Sequence, residues 1–228
     1  MSKIYAISDI HGCNNTFNEM LNQIGLNKED KLYLLGDYID RGPGSIATID
    51  KIIELKESGY NINCLTGNHE QMMLHAINEP REAMFWINNG GDAVIEELGV
   101  YNSSQVPQKY INFANELKYF IETEDFIFVH AGLNLRKTNP LTDKESLIWI
   151  RYWENHELLD EFLQGKKVIH GHTPQTKDEI IKRFNLFSQN YHSVLNIDNG
   201  CVFKREGYNN LCCVDLTNNK LFFQQNCD

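Results

Sequence analysis

Basic residues are scarce in this 228-residue chain. Its 21 Lys and Arg stand against 31 Asp and Glu, a formal net charge of -10. A general nucleic-acid binder replaces counterions with a basic face, and an anionic membrane surface recruits one too, so this balance favours neither partner. Long apolar runs are missing as well. No stretch approaches the length of a membrane span, and the opening MSKIYAISDIHG lacks the extended apolar segment of a secretory signal. The six cysteines, Cys13, Cys64, Cys201, Cys212, Cys213 and Cys227, form no C-x-x-C pair. Neither a thiolate zinc site nor a disulfide framework fits that spacing in a chain of this size, and reduced thiols in a cytoplasmic protein are the expectation.

The chain has 42% hydrophobic and 23% charged residues, the composition of a globular protein able to bury one sizeable core. The expectation is a single domain over residues 1–228. Short apolar runs at Lys3 to Ser8, Lys31 to Leu35 and Asn61 to Leu65 read as buried strands. Between them, Asn14 to Ile24 and Gly44 to Ser58 carry apolar residues at helical spacing. Strand–helix–strand order implies a parallel sheet. Glu70 to Tyr119 reads as mostly helical, broken near Pro80 and at Asn88-Asn89-Gly90-Gly91. Further strands are expected at Phe126 to Val129, Lys167 to Ile169, Val194 to Ile197, Leu211 to Leu216 and Lys220 to Gln224, with helices at Asp143 to Trp153 and Leu158 to Leu163. Asn218-Asn219 marks a hairpin turn between the last two strands. Antiparallel strands should therefore dominate late. The fold class is α/β: two mixed β-sheets packed face to face and flanked by helices.

Polar clusters close the early strands: SDIHG from Ser8, GDYIDRG from Gly36, GNHE from Gly67, HAG from His130 and GHT from Gly171. Ligands of open α/β sheets bind outside the carboxyl ends of strands, so these clusters can converge. Asp9, His11, Asp37, Asn68, His130 and His172 offer carboxylate, amide and imidazole donors without a thiolate. That mixture suits manganese, iron or zinc. Six ligands exceed one tetrahedral site but suit two ions sharing a carboxylate, the arrangement that stabilises attacking and leaving oxygens of an in-line displacement.

These five motifs, in this order, resemble the metallophosphoesterase superfamily, and GDxxDRG with GNHE resembles its phosphoprotein phosphatase family, especially the compact bacterial and phage members. The resemblance implies the calcineurin-like fold and two divalent metal ions, manganese foremost. Asp9 and His11 would hold the first ion, Asp37 would bridge, and Asn68, His130 and His172 would hold the second. It also implies His69 as general acid oriented by Asp40, and Arg41 as a clamp on phosphoryl oxygens. Arg151 matches the family's second arginine; the alternative is a helix-surface arginine packed on Trp149 or Trp153. His170 competes with His172 within IHGH, and the family match favours His172. Asp198-Asn199-Gly200 reads as a β-turn or the rim of the site. Phe85, Trp86 and the following NNGG read as a core anchor or a substrate wall.

The activity the resemblance implies is hydrolysis of phosphoserine or phosphothreonine on phosphoprotein or phosphopeptide substrates, with phosphotyrosine open, by direct attack of hydroxide held between the ions. The alternative is a symmetrical bis(5'-nucleosyl)-tetraphosphatase, whose GDxxxRGPGS pattern matches Arg41 to Ser45. Those enzymes tend to lack the aspartate before the arginine and to read GNHD, so Asp40 and Glu70 favour the phosphatase. Hydrolysis of cyclic nucleotides or nucleic-acid ends is disfavoured by the acidic balance. A non-catalytic scaffold should have lost His69 or several ligands, and none is missing.

Overall fold

Alternation of short apolar runs with amphipathic ones organises the first third of the chain. In the computed structural model, which describes residues 2–228, β1 (Ile4–Ile7), α1 (Asn14–Ile24), β2 (Lys31–Leu34), α2 (Ser45–Glu57) and β3 (Asn61–Cys64) follow one another. The middle is helical: α3 (Asn68–Asn78), α4 (Ala83–Trp86), α5 (Asp92–Leu98) and α6 (Gln108–Asn115). The remainder is β4 (Phe120–Glu122), β5 (Phe126–Val129), α7 (Lys144–Trp149), α8 (Leu159–Leu163), β6 (Lys167–His170), α9 (Lys177–Ser188), β7 (Val194–Asn196), β8 (Asn210–Asp215) and β9 (Lys220–Gln225).

Two mixed sheets result, in the orders β3-β2-β1-β8-β9 and β4-β5-β6-β7. β1, β2 and β3 run parallel, as strand–helix–strand connections require. β8 lies antiparallel to β1 and β9 antiparallel to β8. The expected late antiparallel dominance holds in part: β4 is antiparallel to β5, and β8 to both β1 and β9, but β5, β6 and β7 are parallel to one another. The connection that makes this feasible is α9, which lies between β6 and β7.

Strand periodicity sorts the core into layers. Tyr5 and Ile7 of β1 and Leu32 and Leu34 of β2 face the first four long helices, packing with Phe17, Ile49, Ile52, Met73 and Phe113. The alternate residues Ala6 and Tyr33 turn inward with Phe128, Ile169, Leu195, Cys212 and Val214 to form the layer between the sheets. Ile127, Val129, Val168 and Val194 face out again, covered by Leu147, Trp153, Leu159 and Leu163. Tyr33 and Phe128 join the two sheets directly, stacked with ring centroids 3.9 Å apart and planes 6° apart.

Two helical expectations need correction. α9 falls in a stretch for which no helix was expected, although Thr176 and Glu179 cap its start reciprocally and Ile180, Phe184 and Phe187 are spaced along one buried face. The helix expected over Asp143 to Trp153 stops at Trp149, and Ile150 is extended, with ψ 143°. Trp153 explains the break. Its indole packs on Gly132 so closely that no Cβ fits there, and its N–H donates to the Ala131 carbonyl at 3.0 Å. A helix continuing past Trp149 would carry that ring away. Among the described residues, no helix is long and apolar enough to cross a membrane.

The inter-sheet layer makes a stability prediction. Phe128→Ala, which removes the ring stacked on Tyr33, should destabilise the fold by about 3–5 kcal/mol in urea unfolding. Phe128→Leu should cost about half that or less. Equal midpoints for the wild type and the alanine variant would show that this stack does not hold the sheets together.

Candidate metal centre

The connections after β1, β2, β3, β5 and β6 meet at one end of the two sheets, each bringing a polar side chain into a cleft of about 250 Å³. Asp9, His11, Asp37, Asn68, His69 and His172 line it, with Arg41 and Arg151 at its mouth. His130 lies behind them, fully buried. A larger recess, about 540 Å³ around Leu135 and Phe162, shares no residue with this cluster.

Asp37 sits at the centre. Its Oδ2 is 3.4 Å from His130 Nε2 and 3.7 Å from His11 Nε2. His130 Nε2 is in turn 3.1 Å from Asn68 Oδ1 and 3.2 Å from His172 Nδ1. The tautomers follow from the other ring atoms. His11 Nδ1 donates to the Ile39 carbonyl at 3.0 Å, and His130 Nδ1 donates to the Leu35 carbonyl at 2.9 Å. Backbone carbonyls thereby aim both Nε2 lone pairs inward, as they do around metal-binding histidines. A carboxylate, an amide oxygen and three imidazole nitrogens facing one another repel unless a cation or proton lies among them. Asp9 adds a buried Oδ1 without a partner, while its Oδ2 accepts the His172 backbone N–H at 2.9 Å. The residues present therefore fit divalent ions. Two sets of donors approach each other closely enough to hold one, His11 with Asp37 and His69, and Asp37 with His130 and His172.

The electrostatics agree. Burial works to raise the Asp37 pKa, but the charges of His130, His69 and His11 outweigh it and hold the carboxyl well below its ordinary value. Burial likewise works to lower His130, yet the Asp37 and Asp9 carboxylates push it up to about 9. This point in the protein stabilises positive charge. Burial, then the His130 charge, drive His172 down to about 2, which keeps its imidazole neutral and able to ligate.

His69 is held differently from its neighbours. Its Nδ1 donates to Asp40 Oδ2 at 2.6 Å, and Asp40 has no exposed surface. Trp86, equally buried, donates its indole N–H to both Asp40 oxygens at 3.0 Å. Trp86 is thus the core anchor expected from sequence, with a polar task that expectation did not include. Arg41 donates through its two terminal nitrogens to His11 Nε2 at 2.7 Å and His69 Nε2 at 2.9 Å. Asp40 and Arg41 both adopt left-handed backbone conformations, with φ of 73° and 70°. The NNGG segment supports them: Arg41 N–H donates to the Gly90 carbonyl at 3.0 Å, and a Cβ on Gly90 would meet Arg41 Cγ at 2.6 Å. Gly90 itself has φ 106°, closed to side chains, so the break at NNGG is a π-turn that presses on the arginine.

Arg151 is exposed and follows the end of α7, donating to Thr173 Oγ1 at 3.2 Å at the cleft mouth beside His172. It is therefore not the helix-surface arginine of the alternative expectation. His170 stays out of the cluster; its Nε2 lies 3.2 Å from Glu154 Oε1, and its ring packs on Trp153. Asp198, expected in a β-turn or at the rim of the site, lies at the cleft and also makes a turn contact. It is buried, lines the cleft with Asp9, and its Oδ1 accepts the Gly200 N–H at 2.8 Å. Sequence reasoning also missed Glu70 as a structural device, its buried carboxylate accepting the backbone N–H groups of Gly67, Asp37 and Tyr38.

Comparison with known proteins agrees with this geometry. The family model described as calcineurin-like phosphoesterase matches residues 2–198. A symmetrical bis(5'-nucleosyl)-tetraphosphatase of Nitrosomonas europaea is 32% identical over 131 residues, covering 57% of this chain and 44% of that protein. The chain thus spans less than half the length of that relative. An asymmetrical bis(5'-nucleosyl)-tetraphosphatase, PrpE, of a Geobacillus species is 25% identical and is covered to 86%, with 88% of this chain. In fold, the chain resembles the cold-active protein tyrosine phosphatase of a Shewanella species, with a TM-score of 0.66 at 16% identity, covering 99% of this chain and 81% of that one. The chain belongs to the calcineurin-like phosphoesterase family.

Proposed function

We propose that the chain hydrolyses bis(5'-nucleosyl)-tetraphosphates, splitting a phosphoanhydride bond in a cleft that holds two divalent ions. The observation that carries a metal-dependent phosphoester or phosphoanhydride hydrolase is the convergence of His11, Asn68, His130 and His172 donors around Asp37 beneath Arg41. The relatives in Nitrosomonas and Geobacillus support the tetraphosphate as substrate. The phosphoprotein reading suggested by Asp40 and Glu70 becomes the second reading.

Asp9, His11 and Asp37 would hold one ion, and Asp37, Asn68, His130 and His172 the other, with manganese first and iron or zinc as alternatives. Ions so held would supply Lewis-acid polarisation of phosphoryl oxygens and would lower the pKa of water toward neutrality. The chain's own groups do the rest. Arg41 and Arg151 present guanidinium groups that bind phosphoryl oxygens in a bidentate way and offset the charge growing on them. Asp40 fixes the His69 tautomer, and its charge stabilises a proton taken up at Nε2. From there the proton can pass to the departing oxygen. Trp86 restrains the Asp40 carboxylate by donating to both of its oxygens.

A phosphoserine or phosphothreonine phosphatase remains the second reading because of the Asp40–His69 pair. A nucleotide leaves as a stable phosphate anion, whereas a serine alkoxide needs a proton as its bond breaks, and a buried 2.6 Å acid pair suits the second task.

The deciding assay sets diadenosine tetraphosphate beside a phosphoserine peptide, both with added manganese. The expected outcome is a kcat/KM at least tenfold higher on the tetraphosphate; the opposite order would reverse the assignment. Chelation should abolish both activities. Asp37→Asn should lower metal content below two ions per chain by elemental analysis and cut turnover at least a hundredfold. Two retained ions with normal turnover would remove Asp37 from the centre.

The leaving-group argument makes a separate prediction. His69→Asn should slow hydrolysis of phosphoserine peptides by about 10²–10⁴ but p-nitrophenyl phosphate far less, because phenolate departs unaided. Trp86→Phe should act in the same direction and more weakly, about tenfold, with metal content intact. Equal losses on both substrates would deny His69 the role of proton donor.

A further inference from the structure

A second recess adjoins the cleft. It measures about 350 Å³ and lies between Phe203 and Tyr208, with Pro174 on its wall and Lys204 and Arg205 at its edge. Phe203 and Pro174 line both the recess and the metal cleft, so one phenyl ring borders the two spaces. That ring is 40% exposed, and the Arg41 guanidinium carbon stands 6.0 Å from its centroid.

The segment carrying these side chains is built to stay in place. Asn199 Nδ2 donates to the carbonyls of Gly207 and Gln175 at 2.9 Å, and Asn210 donates back to Asn199 Oδ1 at 2.9 Å. Backbone bonds from Phe203 to Gly200 and from Asn209 to Gly200 close the loop at its base. Within it, the Arg205 guanidinium lies 4.5 Å over the Tyr208 ring and donates to the Tyr208 hydroxyl at 3.3 Å. The loop starts from Asp198, which lines the cleft, so the position of the recess is tied to that of the metal ligands.

A fixed aromatic face and two cationic side chains beside a phosphate-hydrolysing cleft are unusual equipment in a chain of net charge -10. Bases stack on such faces whatever their identity, and guanidinium groups pair with phosphate oxygens in a bidentate way. We propose that this recess is a nucleoside subsite. The base of one end of the substrate lies against Phe203, and Lys204 and Arg205 meet the phosphate chain as it leaves the metal cleft. This inference rests on the tetraphosphatase reading and deepens it, by assigning the residues that distinguish a dinucleoside polyphosphate from a simple phosphate ester. A phosphate ester without a base would reach the metals and leave the recess unused.

The test uses Phe203→Ala and Arg205→Ala in the full chain with manganese. Both residues are exposed, so neither change should endanger folding. The quantity read is the ratio of kcat/KM on diadenosine tetraphosphate to kcat/KM on p-nitrophenyl phosphate. Each variant should lower that ratio by about fivefold or more, mainly through KM for the dinucleotide. Titration of the wild type and both variants with ADP, followed by calorimetry, should show the same weakening without turnover. Ratios and ADP affinities within twofold of wild type would overturn the subsite even if the wild type cleaves diadenosine tetraphosphate. Loss of the ratio in Phe85→Ala, with Phe203→Ala unaffected, would also overturn it by moving the base to the pair of Phe85 and Trp149, of which Trp149 lines the cleft. If the wild type fails to cleave the dinucleotide yet binds ADP through Phe203 and Arg205, the tetraphosphatase reading falls and the subsite stands.

Discussion

The Glu70 carboxylate, which has no exposed surface, is the tie on which the site depends. It accepts the backbone N–H groups of Gly67 at 2.8 Å, Asp37 at 3.0 Å and Tyr38 at 2.8 Å, so the loops after β2 and β3 cannot separate. Burial and the nearby Asp37 charge push its pKa up to about 7, against the pull of those amide bonds. The tie then propagates. Asp37 Oδ1 accepts the His69 N–H, and the Asp37 carbonyl accepts the N–H groups of Ile10 and His11. Asp9 Oδ2, on the same stretch, accepts the His172 N–H from the second sheet. Carboxylate-to-amide bonds of this kind are stronger than neutral ones and impose direction, which packing alone does not.

Such ties are needed because the backbone of the site is uncomfortable. His11, Asp37, Asp40, Arg41 and His172 all have positive φ without being glycine. Each such residue costs on the order of 1 kcal/mol or more, and survives only where its surroundings over-determine it. The apolar layers supply the surplus. Tyr5, Ile7, Leu32 and Leu34 anchor the first sheet to its helices, while Phe128, Ile169 and Leu195 anchor the second to the first. Rigid strands thereby deliver the polar side chains to strained loops whose geometry is useful and whose formation would otherwise be unfavourable.

Much of this was legible in the sequence. Period-two and period-3.6 patterns located most strands and helices, and polar clusters closing apolar runs located the cleft, because both signals lie within short windows. What was not legible depends on long-range contact. Trp86 reads as an apolar residue in a helical stretch, and nothing local says that its N–H reaches Asp40. Gly90 reads as a helix breaker, yet its task is set by the Arg41 backbone. The helix end at Trp149 is decided by Trp153 finding Gly132. Only α9 carried a local signal that went unused, its Thr176–Glu179 cap. The substrate was the least legible feature. The motif residues gather around Asp37 and announce themselves by their pattern, whereas Phe203 and Arg205 sit in a loop with no pattern of its own.

The placement of the tryptophans has an optical consequence. The chain has three, and each one touches the functional end of the molecule. Trp86 is bonded to Asp40, Trp149 stands edge-on to His172 with centroids 6.1 Å apart, and Trp153 packs on His170 and bonds the residue after His130. Intrinsic tryptophan emission from this protein is therefore a local signal. It reports ionisation and occupancy around the cleft, with Trp149 at 38% exposure the one open to quenchers from solvent. The wider helical layer, from α1 to α2, is dark to that measurement.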